Sequence, residues 1–182
     1  MKIVVPLAEG SEDVEAVTII DLLRRGGVDV TTASVAKNPV TGSHGITLVA
    51  DTDFSSLDPA GFDGIVLPGG PGTKNLRESR DVVDFVKAVY SRNGYTAAIC
   101  AAPTVLHRAG ILDGKKVTAF PADAASLTGA VVTGDPVVVD GRVITGKGAG
   151  TAIDFSLALV REFVNEDTAR KLRSALQVFW NE

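Results

Sequence analysis

Tyr95-Thr96-Ala97-Ala98-Ile99-Cys100-Ala101-Ala102-Pro103-Thr104 is the stretch whose reading decides the fold. Tyr95 to Ile99 is a short, almost uninterrupted apolar run, the pattern of a central strand covered on both faces. Ala101 and Ala102 are small enough for a sharp reversal. Pro103 suits the first turn of a helix, where its missing N–H costs nothing. Cys100 therefore stands at a strand-turn-helix corner, with the geometry of a nucleophile elbow that carries Cys in place of Ser and lacks the flanking glycines. A helix N-terminus favours a thiolate, so the residue is expected to titrate at about 4–7. Taken alone, a cysteine in an apolar run reads first as a small buried hydrophobe. Its context and its partners tip the balance towards reactivity.

The rest of the chain sets the frame. With 182 residues, 45% hydrophobic and 22% charged, it is expected to form one domain over residues 1–182 with a single sizeable core. A lone cysteine excludes an intrachain disulfide and fits a reducing compartment. The net charge of −4 and a pI near 5.2 offer no general nucleic-acid footprint. Ile3 to Ala8 is too short for a signal peptide, and no apolar run is long enough to span a membrane. The expectation is a soluble, cytoplasmic protein.

Outward from the Cys100 segment, strands alternate with helices. Met1–Leu7 reads as a first strand. Ser11 reads as an N-cap, with Glu12, Asp13 and Glu15 in the first turn of a helix that carries Val17, Ile20 and Leu23. That helix stops at Gly26-Gly27 with Arg24 and Arg25 in its last turn. Val28–Val35 is a second strand, and Pro39–Val49 a hairpin. Phe62–Leu67 is a buried strand that ends at Pro68-Gly69-Gly70, and Arg80–Ser91 an amphipathic helix. Lys115–Phe120 and Val131-Val132 are strand-like, and Val137–Val139 with Val143–Thr145 form a hairpin. Helices over Ala149–Val164 and Thr168–Phe179 close the chain. Such alternation gives an α/β fold, a mostly parallel sheet with helices on both faces. Its ligands bind beyond the carboxyl ends of the strands, where the loop after the first strand, Gly69-Gly70 and Cys100 converge.

Glu15 shares a helix flank with Ile19 and Leu22, which would leave its carboxyl group partly desolvated. Desolvation and a neighbouring thiolate both raise a carboxyl pKa, so Cys100 and Glu15 are expected to share one proton. Gly69 and Gly70 can aim amide N–H groups at a developing oxyanion together with Ala101. Glycines at a strand end are also ordinary turn residues. Gly146–Thr151 lacks the order of a phosphate loop and reads as a turn that delivers the next helix to the site rim. His107 is roughly 10 Å along the helix from Cys100, too far to be its base. Two histidines and one cysteine supply no metal site, and no cofactor is called for.

Ala8-Glu9-Gly10-Ser11-Glu12-Asp13-Val14-Glu15-Ala16, Ile65-Val66-Leu67-Pro68-Gly69-Gly70, Ala97–Pro103 and Gly148–Ala152, in this order, resemble the ThiJ/PfpI superfamily over essentially the full length. The similarity is greatest to the YajL-like branch, which also holds the human parkinsonism-associated deglycase. The resemblance implies a flavodoxin-like three-layer sandwich, a homodimer, Cys100 as nucleophile and Glu15 hydrogen-bonded to its sulfur. It also implies glyoxalase III-type conversion of methylglyoxal to lactate, removal of early glyoxal adducts from proteins and nucleotides, or chaperone and oxidative-stress roles. An older name ties some members to thiazole monophosphate synthesis. Ala101 stands where protease-type members carry His. Phe120-Pro121 replaces a His-Pro pair, and His44 stands where the parkinsonism-associated branch has an arginine. Arg25 and His44 are the expected anion-pocket residues.

Three functions follow as expectations. The first is a cysteine-dependent enzyme acting on small α-oxoaldehydes or on glycated proteins and nucleotides. The second is a redox sensor or holdase built on oxidation of Cys100. The third, a peptidase, suffers from the lack of a reachable His.

Overall fold

The computed structural model describes residues 1–178. In chain order the first half comprises β1 (Lys2–Leu7), α1 (Asp13–Arg25), β2 (Asp29–Ser34), β3 (Val40–Thr41), β4 (Thr47–Leu48), β5 (Thr52–Asp53), β6 (Gly64–Leu67), α2 (Thr73–Glu78) and α3 (Arg80–Ser91). The second half comprises β7 (Tyr95–Ile99), α4 (Pro103–Arg108), β8 (Lys116–Val117), α5 (Pro121–Ala124), β9 (Val131–Val132), β10 (Val137–Asp140), β11 (Val143–Gly146), α6 (Ala152–Phe163) and α7 (Glu166–Ala175).

The side-chain alternation of β1 explains the layering. Ile3, Val5 and Leu7 join one apolar cluster with Ile19 and Leu23 of α1 and with Phe155 and Val160 of α6. Val4 joins the other, with Ile65 and Leu67 of β6, Val82 and Val86 of α3 and Leu106 of α4. A strand buried on both faces needs cover on both faces, so α1, α6 and α7 form one outer layer and α2, α3 and α4 the other. The main sheet runs β10-β11-β7-β6-β1-β2-β5, with β10 antiparallel to β11 and every other pairing parallel. From β1 the chain moves to β2 on one side, and from β6 to β7 on the other. The chain thus reverses its direction across the sheet between β1 and β6, the place where folds of this kind form a ligand crevice at the carboxyl ends of the strands.

Several expectations shift in detail. The buried face of α1 is Ala16, Ile19, Leu22 and Leu23, together with Asp13 and Glu15. Val17 is 43% exposed, so the apolar stripe lies to one side of the expected Val17-Ile20-Leu23 line. The stripe Ala16, Ile19, Leu22 and Leu23 packs on the sheet, and Asp13 and Glu15 turn inward at its N-terminal end. Ser11 does not cap α1. Its hydroxyl accepts from the Ala8 N–H at 3.1 Å, and Glu12 occupies the cap position without a side-chain bond to the helix's first-turn N–H groups. The strand expected over Lys115–Phe120 shortens to β8, which pairs only with β9, apart from the main sheet. The last helix begins at Glu166, and Phe179, its expected end, lies outside the described residues.

Phe155 is fully buried, with its ring against Gly146 at the end of β11. Phe155→Ala is expected to cost about 3–5 kcal/mol. Urea unfolding checks this: the midpoint should fall with the slope unchanged.

Candidate active site

Cys100 follows the last residue of β7 and has φ 64, in the left-handed region. A non-glycine residue there carries about 1–2 kcal/mol of strain. Its backbone is held from both sides: its N–H donates to Gly146 O at 2.9 Å, and its carbonyl accepts from Phe120 N–H at 2.8 Å. The turn lifts the side chain off the sheet axis and directs it into the crevice. The N–H groups of Gly70 and Ala101 lie on the sulfur's side and favour its ionised form.

Glu15 reaches the same point from α1. It is fully buried, and its Oε2 accepts from Gly69 N–H at 2.8 Å. A Cβ on Gly69 would stand 2.6 Å from Cys100 Cβ and 2.8 Å from Glu15 Oε2, so only glycine lets the two groups meet. Gly70, at φ +83, packs onto the loop after β1, where a Cβ would lie 2.6 Å from Glu12 N. Glu12 N–H donates to Gly69 O at 2.9 Å and Gly72 N–H to Gly10 O at 2.7 Å, tying the two loops together.

Burial pushes the Glu15 carboxyl up to about 7, against the Gly69 N–H and the Cys100 thiol, which favour its ionised form. Glu15 Oε1 is buried without a well-formed hydrogen bond, and the adjacent thiol is the donor its surroundings offer. Burial, and then the charge of Glu15, push the Cys100 thiol up to about 12. Between these values the pair holds one proton, as the sequence suggested. The expectation of a thiol titrating at about 4–7 is corrected by these neighbours. Helix α4 spans only six residues, and its N-terminus does not outweigh burial beside a carboxylate.

The sulfur and the carboxyl group open onto a pocket of about 490 Å³. Gly70, Thr73, Lys74, Arg77, Phe120 and Asp123 contribute to its walls. Neither histidine lines it. His107 Nε2 lies 2.9 Å from Thr128 O. The His44 ring lies 3.4 Å from Glu12 and is 73% exposed.

A model of the DJ-1/PfpI family matches residues 1–162. The chain belongs to the DJ-1/PfpI family. Protein DJ-1 homolog A of Arabidopsis thaliana is 41% identical over 179 residues, covering 96% of this chain. The match takes in 46% of that relative, so this chain spans about half its length. The glutathione-independent glyoxalase DJR-1.2 of Caenorhabditis elegans is 34% identical over 170 residues, covering 92% of this chain and 91% of the relative. The crystal structure of Drosophila melanogaster DJ-1beta superposes with a TM-score of 0.94 at 35% identity and covers 98% of each chain.

Within this DJ-1/PfpI chain, Cys100, Glu15, Gly70 and Ala101 come together as the sequence suggested. Gly69 is adjacent, but its N–H is committed to Glu15 and is not free for an oxyanion. Arg25 is corrected outright. It lies ten residues beyond Glu15, about 15 Å along α1, and its Nε pairs with Asp21 at 2.7 Å. His44 reaches the site only through Glu12. The cations on the pocket wall are Lys74 and Arg77 of α2, a helix not foreseen because a single buried leucine, Leu76, marks its short span.

The Glu15 shift has a sign that stability measurements can read. Its folded pKa lies above the ordinary 4.5, so the neutral form fits the fold and ionisation opposes it. Stability should fall as pH rises from about 4.5 to about 7, by about 3 kcal/mol. Glu15→Gln is expected to unfold near the wild-type temperature at pH 5 and above it at pH 8. Thermal scans at the two pH values check this.

Proposed function

We propose that this protein is a cysteine-dependent enzyme that converts methylglyoxal to lactate without glutathione. The observation that carries the reading is the Cys100–Glu15 pair, joined through Gly69 at the floor of a pocket. The C. elegans relative named a glutathione-independent glyoxalase supports it. Glu15, with its carboxyl near 7, is poised as a general base at neutral pH. It takes the thiol proton as sulfur adds to the aldehyde carbon, giving a hemithioacetal. The Gly70 and Ala101 N–H groups, which favour negative charge beside the sulfur, steady the alkoxide oxygen. Glu15 then moves a proton from that carbon to its ketone neighbour through an enediol, leaving a thioester of lactate. Water cleaves the thioester, releasing lactate and restoring the thiol. The same addition to a glyoxal adduct on a protein or nucleotide would release glycolate, a deglycase reaction. Residues 1–182 act as a single unit in this scheme, with no metal and no cofactor.

The redox-sensor or holdase reading is second. The carboxyl group of Glu15, held beside Cys100 by the Gly69 N–H, favours chemistry in which a base accompanies attack. A peptidase role is weaker still, since neither histidine lines the pocket.

Time courses of methylglyoxal loss with lactate detection test the proposal, against a buffer control and Cys100→Ala. Glu15→Gln should still form the hemithioacetal while lactate production falls by ~10²–10⁴-fold. Lactate formed at near the wild-type rate by folded Glu15→Gln would remove Glu15 from the mechanism.

We further propose a symmetric homodimer. Val14 and Val17 on the outer side of α1, and Ile46 and Val49 around the β3–β4 hairpin, are all exposed, with Val49 at 77%. Covering such a patch favours association. Light scattering at micromolar concentration should give twice the chain mass, and Val17→Asp with Val49→Asp should shift it to a monomer.

A further inference from the structure

We propose that Lys74 and Arg77 make this pocket selective for carbonyl compounds that carry a second, anionic group, a carboxylate or a phosphate. The inference rests on Cys100 as the nucleophile and goes beyond methylglyoxal, which is neutral. Both cations line the pocket that holds Cys100, on successive turns of α2. Neither has an ion-pair or hydrogen-bond partner among the described residues, whereas most other basic side chains of helices α1, α3 and α6 are paired. Thr73, the first residue of α2, lines the same wall. Its hydroxyl is buried without a partner, and the residue is 4% exposed. An unpaired buried hydroxyl is costly unless a ligand or water completes it.

Three carboxylates, Glu12, Glu15 and Asp123, share the pocket lining with the two cations. Glu12 accepts from Ser43 Oγ at 2.9 Å and has the His44 ring 3.4 Å away, so it is engaged on the hairpin side. Glu15 belongs to the Cys100 pair. Asp123 is the remaining carboxylate, carried by α5, and it opposes the two cations in part. Replacing it should strengthen the preference for anions.

Alkylation of Cys100 tests the charge field without any turnover. Iodoacetate and iodoacetamide both lose iodide as the sulfur forms a C–S bond, and both consume the same thiolate. Their rate ratio therefore cancels the thiol pKa and reports the charge that the reagent meets. In the wild type this ratio, followed by intact mass, should exceed that of N-acetylcysteine by roughly fivefold and shrink in added salt. Lys74→Gln with Arg77→Gln should return it to the N-acetylcysteine value while Cys100 still reacts with iodoacetamide, and Asp123→Asn should raise it. A wild-type ratio equal to that of N-acetylcysteine, or one unchanged in the double variant, overturns the assignment. So does a Cys100 closed to both reagents, since the pocket would then not admit a substituted carbonyl. Failure to make lactate from methylglyoxal, with the ratio behaving as expected, would instead count against the glyoxalase reading alone.

Discussion

The hydrogen bond from Gly69 N–H to Glu15 Oε2, 2.8 Å long, is the constraint around which the site is assembled. It joins the end of β6 to the first turn of α1 and leaves the carboxyl group against the Cys100 sulfur. The missing side chain at Gly69 makes this possible, because a Cβ would overlap both partners. One backbone amide thereby satisfies half of a buried carboxyl group and leaves the other half to the thiol. Any larger residue at that position would separate acid from sulfur, whatever became of the rest of the fold.

The surrounding structure holds this contact against two costs. Cys100 adopts a left-handed backbone that L-residues avoid. Gly146 and Phe120 clamp its peptide groups, and β7 behind it is buried along its whole length. Glu15 loses hydration on entering the core, and the packing of Ile19 and Leu23 beneath α1 keeps it there. Strain and desolvation of this kind are tolerable where a core of this size supplies the opposing free energy. They also leave both groups away from their resting chemistry, which is what a proton relay requires.

Electrostatics divide the pocket into a floor and a rim. On the floor, burial and like charge dominate, and the short α4 adds little. At the rim, Lys74 and Arg77 have no side-chain partner among the described residues, while Glu12 is engaged by the β3–β4 hairpin. Among the described residues no helix is long and apolar enough to cross a membrane, and no cluster of His, Cys, Asp and Glu could hold a metal ion. The chemistry argued for this site uses the chain's own thiol, carboxyl and amide groups.

The sequence by itself determined the alternation of strands and helices, the corner at Cys100 and the convergence of Gly69-Gly70 with it. These are local properties: unbroken apolar runs from Ile3 to Leu7 and from Tyr95 to Ile99, and turn residues after each strand. It also pointed to Glu15, because an acid among apolar neighbours on a helix flank is conspicuous. Tertiary structure decided the rest. Val17 faces outward because Ala16, Ile19, Leu22 and Leu23 form the stripe that packs on the sheet, and Asp13 turns inward with them. The Gly69 amide is taken by Glu15, Arg25 ends far from the pocket, and Lys74 and Arg77 arrive on a helix with almost no pattern of its own. The thiol is pushed up rather than down because its strongest neighbours, burial and Glu15, come from across the fold. Distances between segments remote in sequence set those outcomes, and a pattern within one segment does not contain them.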